Sequence, residues 1–226
     1  MTLADPSYED RKREDEQRQF SDFDFSLERM NVSGPLFDFV KLQSINNNYL
    51  SALSTQELYD QGLKRAQQYQ PALAQLMTEE KEYTLAALDI ERHTEKDPKR
   101  FTLYSDIEKN IKFFYDSEWE TIKAEKADFP EGIELSTWKA FAEDYAANYS
   151  LDGDVLTRFE QLKTIWKKYG FAANNAEFKQ GGFVGKVGDL AMFLRIQLCG
   201  AKQTPDLFSV MKVLGDKRIK ERLLDL

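Results

Sequence analysis

The chain is predicted to be all-α, as two consecutive helical-bundle subdomains, on three observations. Apolar residues recur at helical spacing, as in Leu58, Leu63 and Ala66 or Leu156, Phe159, Leu162 and Trp166. Cap-type residues stand at the heads of those stretches. Alternating Val, Ile and Thr of the strand type is scarce everywhere.

Taken in order, residues 1–19 are charge-dense and nearly free of apolar side chains, as in a linker or arm. Phe20 to Phe39 is rich in aromatic and aliphatic residues, with a turn at Ser33-Gly34-Pro35. Asp38 can cap a helix through Tyr49, and Ser54 or Thr55 a longer one through Tyr69. Pro71 suits the first residue of a further helix, expected to end between Arg92 and Asp97. Tyr104 to Phe114 reads as a short helix, and Tyr115 to Pro130 as a hinge with few core residues. Ser136 is placed as the cap of Trp138 to Tyr149, and Asp152 or Asp154 as the start of a helix closed by Gly170. Leu190 to Leu198 is an apolar helix with Gly200 as its left-handed end. Thr204-Pro205 is expected to cap and open the next, Gly215 to close it, and Asp216 to cap the last. The resulting division is an arm (1–19), an N-terminal helical subdomain (20–119) and a C-terminal one (120–226).

Composition narrows the function classes. A chain of 226 residues with 42% hydrophobic content can bury a real core. No apolar run approaches a membrane span and the opening residues carry no signal-peptide pattern, so neither a span nor a leader is expected. The single cysteine, Cys199, excludes an internal disulfide framework and fits a reducing cytoplasm. With 31 basic and 39 acidic side chains the net charge is −8, unlike a general nucleic-acid binder, and neither DNA nor a membrane is an expected partner. Residues 186–226 nevertheless carry eight bases against five acids. A mildly basic face on an acidic protein is compatible with selective RNA binding.

Catalytic and cofactor motifs are sparse. Gly181 to Gly188 lacks phosphate-loop spacing, and Lys186 precedes Val187 where such a loop needs Ser or Thr. His93 is the sole histidine, and its two-residue spacing from Glu91 and Glu95 keeps the three off one helix face, so no metal site is expected. A nucleophilic triad has almost no raw material.

Three ordered segments resemble bacterial-type glutamyl-tRNA synthetases. The first is Phe37-Asp38, Lys41-Leu42, Asn46 and Tyr49, although Ser44 and Leu50-Ser51 replace the family's tryptophan and arginine. The second is Asp97-Pro-Lys-Arg-Phe-Thr-Leu103 with Ile107-Glu-Lys109 and Phe113-Phe-Tyr115. The third is Leu194-Arg195, Leu198 and Gly200, then Thr204-Pro-Asp-Leu-Phe208, Leu214-Gly215, Arg218 and Glu221-Arg-Leu223. The resemblance covers nearly the whole chain but only the C-terminal part of those enzymes, a helical cage that reads the anticodon.

It implies tRNA(Glu) as partner, with Lys99 or Arg100 and Arg195 reaching anticodon bases. Arg100 is favoured over Lys99 because a guanidinium offers a fork of donors and a face to stack. Thr204, Pro205, Leu207 and Phe208 would form the pocket wall, although Leu207 and Phe208 also suit a core. Lys217 and Arg218 would hold phosphates near a helix N-terminus, although a solvated basic face explains them too. The family's ATP-binding half carries a His-Ile-Gly-His-like motif and a Lys-Met-Ser-Lys-Ser-like loop, and neither occurs here. This chain alone is therefore expected to be non-catalytic and free of cofactor, with ATP and Mg belonging to a catalytic half, fused or separate. The alternatives are a helical protein-interaction module that kept the fold without RNA binding, or a trans-acting subunit.

Overall fold

Local signals set most helix starts in the computed structural model, which describes residues 38–94, 97–151 and 165–226. The arm, the aromatic stretch through Phe37 and the helix start at Asp152 or Asp154 lie outside the described residues. Backbone contacts divide the chain into residues 1–44 and residues 45–226. Of the first unit, residues 38–44 are described, where Asp38 Oδ1 accepts from the Lys41 amide at 3.0 Å and starts helix α1 (Phe39–Ala52).

In the second unit, Ser54 and Glu57 form a reciprocal capping box that begins α2 (Thr55–Tyr69). Such a box satisfies two otherwise orphaned amides and stabilises by about 1 kcal/mol. Pro71 is the first residue of α3 (Pro71–Glu79). The single helix expected beyond it is kinked at Glu80 (φ −112°, ψ 46°), and α4 (Lys81–Asp89) follows. A short α5 (Asp106–Ile111) runs into a 3-10 turn at Lys112–Phe114.

The stretch read as a hinge contains a helix, α6 (Asp116–Ala124), with Trp119 as its buried residue. The expected divide at residues 119 and 120 falls inside this helix. One anchoring side chain gives too little periodicity to reveal a helix from sequence. α7 (Leu135–Asn148) starts from Glu134, not Ser136, without a side-chain cap. Gly170 takes φ 72° after helical residues 165–168, and Phe171–Ala172 (β1) pairs in parallel with Gly185–Lys186 (β2) across a short helix α8 (Asn175–Phe178). The long α9 (Val187–Cys199) ends at Gly200, and α10 (Leu207–Leu224) completes the chain.

The core of this unit centres on α7, α9 and α10. Trp138 and Phe193 stack at 4.6 Å with planes 3° apart, flanked by Phe129 and Phe141. Aromatic pairs of this kind add about 0.5–1.5 kcal/mol beyond the area they bury. Gly200 is left-handed (φ 77°), and a Cβ there would lie 2.4 Å from Ile122 Cγ2. Its carbonyl accepts from the Ala127 amide at 3.0 Å, which ties the end of α9 to the chain after α6.

Candidate anticodon-binding cleft

A cleft of about 540 Å³ opens beside the C-terminal end of α9. Three stretches build it: the connection between α4 and α5, α5 itself with Phe113, and the chain from Arg195 to Asp206. Its floor is apolar, from buried Phe113 and Cys199. Burial pushes the Cys199 thiol up to about 12, so this sulfur behaves as a small apolar group and not as a nucleophile.

Arg195 projects from the C-terminal half of α9 into this space. It is half-buried, and among the described residues it forms no hydrogen bond or ion pair. Its neighbours along the helix, Leu194, Ile196 and Leu198, are fully buried, so packing fixes the backbone while leaving the guanidinium to the cleft. A half-buried cation without a protein partner is disposed to take an external acceptor.

Arg100 lines the same cleft but is already engaged. Its Nη2 donates to the Ile90 carbonyl at 2.7 Å and to Glu91 Oε2 at 2.6 Å. Burial pulls its pKa below the ordinary arginine value, and the facing Glu91 carboxylate opposes that shift. Glu91 Oε2 also accepts from the Asp206 amide at 2.9 Å, so one carboxylate oxygen joins the two banks of the cleft. Glu91 itself is left-handed (φ 60°), as are His93 and Lys99. Non-glycine residues held there cost on the order of 1 kcal/mol each, which the surrounding contacts offset. Lys99 lies outside the cleft, its Nζ donating to Asn48 Oδ1 at 2.6 Å.

Thr204 and Pro205 line the cleft, but they do not start α10. The cap is Asp206, whose Oδ2 accepts from the Ser209 amide at 2.9 Å, while Thr204 Oγ1 donates to the Pro205 carbonyl. Leu207 and Phe208, the first turn of α10, are buried and do not line it. Lys109 and Asn110, unassigned from the sequence, also line the cleft. Lys109 ends the matched Ile107-Glu-Lys109 segment, and Asn110 follows it with no signal of its own.

The basic C-terminal helix is arranged differently. Gly215 (φ 76°, ψ 162°) kinks α10, as expected of a residue closing one helix before another. Beyond it, Arg218 is not presented to solvent as a phosphate site would require. Its Nε and Nη2 grip Asp116 at 2.7 and 2.9 Å, and its guanidinium lies 4.9 Å over the Tyr83 ring. Asp116 is held below the usual carboxylate range chiefly by that hydrogen bond. Lys217 does point outward, with Glu221 at 3.9 Å. Arg222, which the sequence left unassigned, is buried. Nη1 donates to the Leu198 carbonyl at 2.7 Å, and the guanidinium lies 3.8 Å over Trp119. Burial lowers its pKa to about 10, and among the described residues Nη2 has no hydrogen-bond partner, only Asp116 Oδ1 at 3.9 Å.

Known proteins share this arrangement of sequence. Residues 63–226 match the family described as "Anticodon binding domain". A glutamate–tRNA ligase of Sorangium cellulosum is 32% identical over 225 residues, 99% of this chain and 39% of that protein. The corresponding ligase of Acetivibrio thermocellus is 28% identical over 99% of this chain and 40% of its own length. A crystal structure of glutamate–tRNA synthetase from Elizabethkingia anophelis is 20% identical, with TM-score 0.49, covering 88% of this chain and 34% of that one. The chain thus spans about two-fifths of the length of the curated relatives it matches. With a family match over most of its length, laid on a helical scaffold that holds an open cationic cleft, the chain belongs to the anticodon binding domain family.

Proposed function

We propose that the chain binds the anticodon loop of a tRNA, that of glutamate by analogy with its relatives, and acts as the recognition part of a glutamate–tRNA ligase. Its partner in that activity is a catalytic half, fused or separate, which would bind ATP and Mg, and its setting is the cytoplasm. Arg195 carries the reading: a half-buried cation without a described protein partner, facing a cleft beside Pro205. Single-stranded bases bind by stacking on planar groups and by hydrogen bonds at their edges. Arg195 offers both, over an apolar floor and against the Thr204-Pro205 wall. Arg100 braces that space through Glu91 and adds positive charge to it. Lys99 and Lys217 are exposed and suited to phosphate contact, whereas Leu207, Phe208 and Arg218 support the scaffold. Anticodon binding at one end of a tRNA would orient its acceptor end toward the catalytic half, an effect of positioning.

The test is a titration with an anticodon stem-loop bearing the glutamate anticodon, at two salt concentrations, against a scrambled loop. The matched loop should bind more tightly, and Arg195→Ala should weaken it by about 1–3 kcal/mol with an unchanged circular-dichroism spectrum. Equal weak binding of both loops would instead favour the interaction-module reading, which the net charge of −8 supports.

A further inference from the structure

Glu91 departs from what a nucleic-acid cleft requires electrostatically. A carboxylate repels phosphate, yet this one lies on the cleft with its side chain 34% exposed. Its backbone is strained into the left-handed region, a cost that tends to persist where a side chain has a task to perform. Both donors that grip it, Arg100 Nη2 and the Asp206 amide, bind the same oxygen, Oε2. Among the described residues Oε1 has no hydrogen-bond partner. The result is an acceptor atom whose position is fixed by bonds to its twin. The other carboxylate on the cleft, that of Asp206, is turned into α10 as its cap.

We propose that Glu91 is a specificity-determining residue, its Oε1 accepting from the amino group of an unstacked base and so selecting amino-bearing bases over uracil. This rests on the cleft taking anticodon bases. Carboxylates accept naturally from an exocyclic amino group such as N4 of cytosine. Uracil has no such group. Its one edge donor, N3–H, lies between two carbonyl oxygens that a carboxylate repels. Arg195, the donor lining the same cleft, complements the picture, because cytosine and adenine each set a ring-nitrogen acceptor beside the amino group. A donor and an acceptor in one pocket read such an edge as a pair, whereas arginine alone would accept uracil equally well. Glu91 thereby offsets its unfavourable charge by discriminating between bases.

The experiment uses the full 226-residue chain and a panel of anticodon stem-loops. In the panel each anticodon position in turn carries cytosine or uracil. At one position the wild-type chain should prefer cytosine about tenfold. Glu91→Ala should bring that ratio close to one while leaving ratios at the other positions unchanged. A merely structural role, acting through the freed Arg100, would lower affinity for all loops by a common factor and leave the ratio intact. Glu91→Gln keeps the shape and the contact to Arg100 but can also donate, so its ratio should fall between those of wild type and Ala, which also covers misfolding of the Ala variant. A wild-type ratio retained in both variants overturns the proposal, as does a wild-type chain indifferent to cytosine and uracil at all three positions. Binding of no loop at all by the wild-type chain would instead remove the anticodon reading and this inference with it.

Discussion

Arg195 and Arg222 both come from the basic last forty residues, and their surroundings could hardly differ more. Arg195 stands over an open cleft and has no described protein partner. Arg222, one helix later, is 3% exposed and is held between the Leu198 carbonyl and the Trp119 ring. Arg218 beside it is consumed by Asp116, 102 positions earlier in the chain. One region presents charge, and the other uses charge as internal fastening between α6, α9 and α10. A basic tail is therefore not a binding surface by virtue of its count of cations. What matters is which guanidinium groups the fold leaves unspent.

The seam around Arg222 should dominate stability, and the cleft should not. The largest effect is expected from alkali. Tyr83 and Tyr115 are pushed up to about 12 by burial, as is Cys199, so the folded state keeps protons that the unfolded chain gives up above pH 9 to 10. A raised pKa contributes stability that is lost as pH rises through that window. Arg222, lowered to about 10, changes in the opposite sense and offsets part of the loss. Stability should therefore fall between pH 9 and 12, read from denaturant midpoints across pH.

Arg222→Ala should cost about 3 kcal/mol in chemical denaturation, because it strands the buried Leu198 carbonyl and empties the space over Trp119. Gly200→Ala should cost about 2 kcal/mol, through the positive φ and the collision with Ile122. Asp206→Ala removes the cap of α10 at about 1 kcal/mol. Arg195→Ala should change stability by no more than about 0.5 kcal/mol while weakening the anticodon loop. If Arg195→Ala proved as destabilising as Arg222→Ala, the contrast between the two regions would collapse, and Arg195 would be a structural residue.

Much of the helical layout was legible because its signals are local. The Ser54 box closes over three residues, Pro71 needs only its own fixed φ, and Gly200 marks the end of α9 by lacking a Cβ. Where the reading missed, the deciding contacts were distant or had competitors. Trp119 alone could not announce α6, since its burial depends on Arg222 about a hundred residues later. At the head of α10 the sequence points to Thr204 as the cap, but the backbone amide of Ser209 bonds to Asp206 instead. The motif singled out Arg195, Thr204 and Pro205, and all three line the cleft. Glu91 could not, because its partners lie 9 and 115 residues away.

Sequence by itself determined the all-α class, the starts of α1 to α3, the end of α9 and the family. Those follow from periodicity, from short-range capping and from motifs kept in order. Tertiary structure alone decided how the charges were assigned, with Arg218 and Arg222 fastened inside and Arg195 left to the cleft. The reason is that an ion's partner is a matter of distance in space, and folding brings together residues that spacing along the chain does not relate.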